Sequence, residues 1–232
     1  MKSRVLTVIA ILVLSVPALQ AQVSFGLVAG PNFQNLTGKD HDGDKMDNGL
    51  IVSFHAGVQA SIPIAKDFYF QPGLLYSGKG SKNNLFIIVT KAASDEFNVI
   101  THLSYLELPL NLLFRPELAN GHILLGFGPY IAYGIGGNQA YEAGSLTLDQ
   151  EIKFKNSITL EEFWDIDQAY YRPFDAGVNI FAGYELEMGL FFQINAQLGL
   201  LNINPEITDI DEGDDEAAYK NTGFGLSVGY NF

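Results

Sequence analysis

The chain has 232 residues and no cysteine, so it offers neither a disulfide nor a thiolate for metal binding or nucleophilic catalysis. Its 26 acidic and 13 basic residues give a net charge of −13, which argues against nucleic acid as a partner because phosphate binding needs clustered cations. Only 17% of the residues are charged, whereas glycine and aromatic residues are abundant, as in proteins with crowded interiors and aromatic membrane girdles.

The first 21 residues have the layout of a secretory signal. A positively charged start precedes an apolar run over residues 5–16, and the small residue Ala21 is suited to cleavage. The run is shorter than the roughly 20 apolar residues that a permanent transmembrane helix needs. The sequence therefore predicts a cleaved signal peptide at residues 1–21, export through the periplasm and a mature domain over residues 22–232.

Eight stretches of the mature chain alternate between large apolar and small or polar side chains, as strands with two different faces do. They begin near Phe25, Phe54, Phe68, Leu106, Ile123, Phe174, Leu190 and Thr222. The second face is rich in Gln, Asn and Gly, unlike an ordinary solvated face. Each stretch reaches or approaches the ~9–11 residues with which a tilted strand crosses a bilayer.

The connections between these stretches alternate in length. Short links are expected at residues 63–66, 116–121 and 185–187, and long ones at residues 32–48, 80–101, 136–172 and 204–221. Up-and-down barrels place short turns in the periplasm and long loops outside the cell. We therefore predict an all-β fold, an eight-stranded antiparallel up-and-down transmembrane β-barrel in the outer membrane, preceded by a signal peptide.

The last stretch places five large apolar side chains on one face: Phe224, Leu226, Val228, Tyr230 and Phe232. Terminal aromatic residues in this setting resemble the signal by which barrels are recognised for insertion. Tyr230 and Phe232 are the candidate insertion signal. The expected partners are then the barrel-assembly machinery during biogenesis and outer-membrane lipid afterwards.

Several of these strands resemble one known family. Residues 105–114 (YLELPLNLLF) are similar to the "YLE-[IL]-P" strand of the PorT-like outer-membrane β-barrel family, and residues 71–80 (QPGLLYSGKG) to its preceding strand. Residues 174–178 and 223–232 also fit. The resemblance implies a small porin-like barrel with eight strands. The family's namesake takes part in protein secretion, but no residue set specific to that role is present here.

Four charged residues, Lys79, Glu107, Arg115 and Asp175, are predicted to point into the lumen. A charge inside a narrow barrel is costly unless it is paired. One hypothesis is a proton or ion path. The favoured interpretation is a structural network in a filled lumen, because eight strands enclose a space just wide enough for side chains.

The first long loop contains candidate calcium ligands at Asp40, Asp42, Asp44 and Asp47, because alternate carboxylates can converge on a hard cation. The spacing departs from an EF-hand loop, since Gly43 precedes Asp44 and no closing Glu follows. The alternative is a solvated acidic turn. A second acidic run, at residues 209–216, is interpreted mainly as a self-repelling segment. No cofactor other than this calcium is expected.

His102 and Ser104 share one face of a strand and form a candidate base and nucleophile. Small outer-membrane lipid A deacylases carry a similar pair. However, no orienting acid is found, because Glu107 should face the lumen and Glu117 lies at the opposite end of the strand. The sequence therefore favours a non-enzymatic protein.

The third long loop carries structure of its own. Leu146, Leu148, Ile152 and Phe154 suggest strands above the membrane, and Thr159 with Glu162 forms a capping-box pattern that starts a short helix towards Ile166. Its aromatic residues are Phe163, Trp164, Tyr170 and Tyr171. They form either a partner-binding surface or, as favoured here, an interfacial girdle or small core.

The sequence thus predicts a structural or surface role, or a secretion-associated one, exercised through the extracellular loops and an unidentified protein partner. The alternatives are a lipid-modifying hydrolase using His102 and Ser104, and a narrow solute channel.

Overall fold

The computed structural model describes residues 23–40, 43–90, 93–144, 146–165, 167–208 and 217–232, without the side chains of residues 84–96. The predicted signal peptide at residues 1–21 lies outside these ranges. Within them, no helix is long and apolar enough to cross a membrane.

The described residues form twelve strands and one short helix. In chain order they are β1 (Ser24–Lys39), β2 (Ile51–Ala65), β3 (Phe68–Thr90), β4 (Ala93–Phe114), β5 (Gly121–Ala143), β6 (Leu146–Phe154), β7 (Ser157–Ile158), α1 (Leu160–Phe163), β8 (Gln168–Tyr171), β9 (Phe174–Leu186), β10 (Leu190–Gly199), β11 (Glu206–Ile207) and β12 (Ala218–Asn231).

Eight of these strands close into a ring. The hydrogen-bonded order is β1, β2, β3, β4, β5, β9, β10 and β12, and β12 pairs back with β1. Every pairing around the ring is antiparallel. The predicted eight-stranded antiparallel barrel is confirmed.

The outer surface of the barrel is an apolar belt. The side chains predicted to face outward are exposed on every ring strand, among them Phe25, Phe54, Leu74, Leu106, Phe127, Ile180, Ile194 and Leu226. Their neighbours in sequence point into the lumen, where most of them are buried. Because so large an apolar surface would be unfavourable in water, lipid is the environment that this belt fits.

One end of the barrel has three tight turns, as predicted. β2 and β3 are joined by Lys66 and Asp67, β4 and β5 by residues 115–120, and β9 and β10 by residues 187–189. Gly189 has a φ of 88°, and a Cβ there would lie 2.3 Å from the backbone oxygen of Asn231, so this turn needs glycine.

At the opposite end, ring strands extend into all four segments that were predicted as long links, and the difference is largest in one of them. Residues 80–101 were expected to form a long link, but β3 and β4 continue through them as a paired hairpin as far as Thr90 and Ala93. Strand pairing depends on backbone hydrogen bonds and not on apolar side chains, so it can continue beyond the apolar belt.

The same end carries a small structured layer, which we call the cap: the upper part of β5 (Gly137–Ala143) with β6, β7, α1, β8 and β11. β6 pairs with β5, β8 runs parallel to β6, and β7 and β11 form a two-stranded parallel sheet. The strand predicted around Leu146–Phe154 is confirmed. So is the capping box, in which Thr159 and Glu162 bond each other's backbone N–H, although the helix ends at Phe163.

Two apolar clusters fill parts of the interior. The upper cluster consists of Leu36, Leu103, Tyr105, Tyr130, Ala132, Ile152, Tyr171 and Ile203. The lower cluster consists of Val28, Leu113, Leu124, Phe181 and Phe191 and lies nearer the short turns. Polar side chains occupy the lumen between them.

Candidate functional site

A buried lysine lies at the centre of the lumen's charged groups. Lys79 on β3 is 3.0 Å from Glu107 Oε2 on β4 and 3.1 Å from Asp175 Oδ2 on β9. All three side chains are at most 1% exposed. We call Lys79, Glu107 and Asp175 the lumen triad. Three of the four charged residues predicted to meet in the lumen therefore do so.

Neutral groups also contact the two carboxylates and the lysine of the triad. Asp175 Oδ2 also accepts hydrogen bonds from Tyr130 Oη at 3.2 Å and from Asn221 Nδ2 at 2.9 Å. Gln197 Nε2 donates to Glu107 Oε1 at 2.6 Å, and the Lys79 ammonium lies 4.0 Å from the centre of the Tyr130 ring. The network joins six of the eight ring strands across the lumen, so it acts as a cross-brace.

A second polar group involves the remaining strands. His55 Nδ1 on β2 lies 2.7 Å from Asn32 Oδ1 on β1, and Nε2 lies 2.8 Å from Ser227 Oγ on β12. Because an amide oxygen only accepts, Nδ1 is the donor and Nε2 accepts from the hydroxyl. Asn195 Nδ2 donates to the same Ser227 oxygen at 3.0 Å. The alternation predicted His55, Asn195 and Ser227 to face inward, but not their mutual contacts. Asn32 lies in a segment that was predicted as a long link and is part of β1 in the structure.

A cavity of about 60 Å³ lies between the triad and the lower apolar cluster. Its wall includes Glu107 above, Val28 and Phe181 below, and the His55 group at the side. This is room for a few water molecules, which need polar partners of this kind. It is far smaller than the roughly 300 Å³ at which small-molecule sites begin.

Arg115 corrects one part of the predicted network. It points inward but pairs with Glu185 at 2.5 Å, near the short turns, and Glu185 also accepts from Asn231. Arg115 directly follows the end of β4 and comes eight residues after Glu107, so the two lie roughly 27 Å apart at about 3.4 Å per residue. The lumen thus contains two separate charge clusters.

The cap is organised around Gln139 on β5. Its Oε1 accepts from Thr101 Oγ1 at 3.2 Å and from Tyr171 Oη at 3.1 Å, and its Nε2 donates to Tyr141 Oη. Burial raises the pKa of Tyr171 to about 12 and also raises that of Tyr141. Both phenols therefore stay protonated at neutral pH. Gln139 and Tyr141 were not singled out in the sequence, because nothing in the alternation marks residues above the membrane.

The aromatic residues of the third loop divide between core and surface. Tyr171 is buried in the upper cluster, in agreement with the predicted small core. Phe163 and Tyr170 line a cavity of the cap. Trp164 is 73% exposed and packs edge-on against Phe163, with ring centres 5.1 Å apart.

His102 and Ser104 share the outer face of β4, as predicted. The structure does not pair them as a catalytic base and nucleophile. Ser104 Oγ lies 2.9 Å from Tyr76 Oη on the neighbouring strand. Glu107 is buried in the lumen triad, and Glu117 lies at the short-turn end, where its backbone forms an isolated β-bridge with that of His122. Neither carboxylate is placed to orient His102.

The candidate calcium loop is described only in part. Asp40 Oδ1 accepts a hydrogen bond from the backbone of Asp44 at 2.9 Å, which closes a turn. Asp42 lies outside the described residues, as does the acidic run at residues 209–216. Among the residues that are described, no three His, Asp or Glu side chains cluster as a metal site would require. Calcium binding stays a prediction.

The candidate insertion signal lies on the outer surface of β12 and just after it. Tyr230 and Phe232 are both exposed, and their rings meet edge-on at 5.2 Å. The Phe232 N–H donates to Phe25 O at 2.8 Å, so the end of the chain is held by β1. This position is open to another protein within the membrane, and the signalling role stays a prediction.

Comparison with known protein families agrees with this architecture. A family model described as "Outer membrane protein beta-barrel domain" matches residues 19–204. The comparison with curated proteins gave no match. Ail, the attachment invasion locus protein of Yersinia pestis, solved with the heparin analogue sucrose octasulfate, is similar at 9% identity and a TM-score of 0.39, over 90% of this chain and 99% of that one. Neisserial surface protein A is similar at 11% identity and a TM-score of 0.39, with the same coverage of both chains.

The match of the family model extends over most of the chain and includes seven of the eight ring strands. The narrower resemblance to PorT-like proteins stays a prediction. The chain belongs to the outer-membrane β-barrel domain family, and it is a protein of the cell outer membrane.

Proposed function

We propose that this protein is a non-enzymatic surface component of the outer membrane, whose closed barrel holds the cap in place and whose function is exercised through the cap. The observation that carries the proposal is the lumen triad. Its buried lysine pairs with two buried carboxylates between two apolar clusters, so the lumen's charged groups are used to brace the barrel.

The distribution of cavities supports the same division of labour. The lumen cavity below the triad measures about 60 Å³, whereas the cap contains a cavity of about 270 Å³. Ligand sites are concave, largely pre-formed and usually larger than a few water molecules. The cap, on the long-loop side, is therefore the part of the molecule that fits a recognition role.

Site-specific labelling tests where the cap lies. The chain has no cysteine, so a single introduced cysteine gives an unambiguous signal. Leu148→Cys places a thiol at an exposed position of the cap, and Met188→Cys places one in an exposed short turn. A membrane-impermeant maleimide applied to intact cells should label Leu148→Cys and should reach Met188→Cys only after the outer membrane is permeabilised. Labelling of Met188→Cys alone on intact cells contradicts the proposal.

The hydrolase alternative has a direct test. A lipid A deacylation assay with the purified protein should show no activity that depends on Ser104, because Ser104 is paired with Tyr76. Activity that disappears in Ser104→Ala and in His102→Ala, while Tyr76→Phe keeps it, would establish the enzyme and refute the non-enzymatic proposal.

A further inference from the structure

The cavity of the cap is lined by an unusual combination of side chains. Five aromatic rings border its volume of about 270 Å³: Tyr141, Phe163, Tyr170, Tyr171 and Tyr219. Four side-chain amides accompany them: Gln139, Gln150, Gln168 and Asn204. Aromatic rings present flat apolar faces, and amides present both donors and acceptors. A ligand for this cavity therefore needs an apolar face and many hydroxyl-like groups around it.

Hydrogen bonds fix the walls of the cavity. Tyr170 Oη donates to Gln168 Oε1 at 3.1 Å, and Gln150 Nε2 donates to the backbone oxygen of Asp165 at 3.2 Å. Gln139 is held by Thr101 and Tyr171. A site whose side chains are already ordered loses little conformational entropy when a ligand binds. The cavity is therefore pre-organised.

The charge of the cavity points to a neutral ligand. Asp165 is the charged side chain among its described lining residues. The nearby cations already have acidic partners: Lys155 pairs with Glu162 over the Tyr170 ring, and Arg172 lies 3.9 Å from Glu206. A sulfated or phosphorylated ligand would meet a carboxylate without a free cation to balance it, which is unfavourable.

We propose that the cap cavity binds a neutral saccharide. A sugar ring offers an apolar C–H face that packs on an aromatic ring, and its hydroxyls match the amide donors and acceptors. A volume of about 270 Å³ lies just under the range of drug-sized sites, roughly 300–1,000 Å³, and suits about one or two sugar rings. An extended peptide needs a longer groove. The inference rests on the proposed recognition role of the cap and names its ligand class.

Trp164 supplies a reporter for binding. It is the single tryptophan of the chain, it is exposed, and its ring contacts Phe163 in the cavity wall. The full-length protein in detergent micelles is titrated with maltose, cellobiose and N,N′-diacetylchitobiose, and separately with heparin and a neutral tetrapeptide. Isothermal calorimetry provides a second readout that does not depend on Trp164. We expect saturable binding of at least one neutral disaccharide, and none of heparin or the peptide.

Matched substitutions locate the site. Tyr170→Ala removes an aromatic face and Gln168→Ala an amide, and each should weaken saccharide binding at least tenfold. Tyr184→Ala is the control, because it removes the same ring from the opposite end of the barrel, where Tyr184 Oη donates to Leu118 O. Unboiled gel mobility verifies that each variant is folded.

Three outcomes overturn the inference: no binding of any neutral saccharide, binding that Tyr170→Ala and Gln168→Ala leave unchanged, or binding of heparin or peptide instead. None of them affects the labelling of Leu148→Cys on intact cells. A failure of the saccharide inference is thus distinguishable from a failure of the proposed surface role.

Discussion

At the scale of single residues, the buried lysine Lys79 must be stabilised by its neighbours, because its side chain has no access to solvent. Transferring an ammonium group from water into a barrel interior costs several kcal/mol, which attraction to a partner offsets only when the geometry is good. Lys79 has two carboxylates within 3.1 Å and the face of Tyr130 beside it. The triad is therefore tolerable when complete and costly when broken.

Removing the cation should destabilise the protein strongly. Lys79→Met keeps a similar volume but leaves Glu107 and Asp175 facing each other without a cation, and we expect the free energy of unfolding to fall by about 3–5 kcal/mol. The measurement is the fraction of folded, fast-migrating protein in unboiled gels across a urea series in lipid vesicles.

A lysine at the surface serves as the control. Lys153 pairs with Glu151, but both side chains are more than a third exposed, so Lys153→Met should cost roughly 0–1 kcal/mol. If both substitutions lowered the free energy of unfolding equally, burial of the triad would not explain the effect of Lys79→Met.

At the level of the element, strand alternation predicted all eight ring strands because lipid and lumen impose opposite demands on the two faces. The alternation did not predict the register, that is, which residues pair across neighbouring strands. β4 and β5 shift by one residue where Ser104 pairs with Gly136 but Tyr105 pairs with Gly134. Such a bulge changes which residues above it face inward, and no single residue of the sequence marks it.

The close approach of neighbouring strands leads to a prediction about glycine. A Cβ on Gly177 of β9 would lie 2.2 Å from Leu198 O and 2.8 Å from the Tyr130 ring, whereas a Cβ on Gly136 of β5 meets nothing within 4 Å. Gly177→Ala should therefore lower the yield of folded barrel on refolding into vesicles, and Gly136→Ala should leave it near the wild-type value. The reverse order would contradict this packing.

The helix of the cap should respond to acid. A hydrogen bond from Lys155 and a second from the Thr159 backbone lower the pKa of the Glu162 carboxyl from its usual 4.5. A carboxyl with a lowered pKa stabilises the fold above pH 4.5 and loses that contribution as the pH falls through the lowered value. Trp164 fluorescence, one residue beyond α1, should therefore change below pH 4.5.

Glu162→Gln is the matched variant for this experiment. It keeps a side-chain oxygen that can cap Thr159 but removes the titrating charge, so the acid-dependent change in Trp164 fluorescence should largely disappear. A variant with the same acid response as the wild type would show that another group controls the helix.

For the molecule as a whole, the sequence was most informative about the environment of each face and least informative about contacts across the lumen. Lys79 and Asp175 lie on β3 and β9, which are not neighbours in the ring, so their contact depends on strand tilt and stagger. The separation of Arg115 from the triad could be calculated from the sequence, because Glu107 lies on β4 and Arg115 directly follows the end of that strand. The sequence did not predict the cap cavity, because its lining residues come from seven separate segments of the chain.

A closed lumen leaves the cap as the functional part of the protein, and electrical recording shows whether the lumen is closed. The full-length protein is reconstituted in a planar lipid bilayer, with unboiled gel mobility as proof of folding. Because the triad and the apolar clusters fill the lumen, we predict a flat current at voltages that drive discrete steps through an open porin. Reproducible single-channel steps that require folded protein would contradict the account.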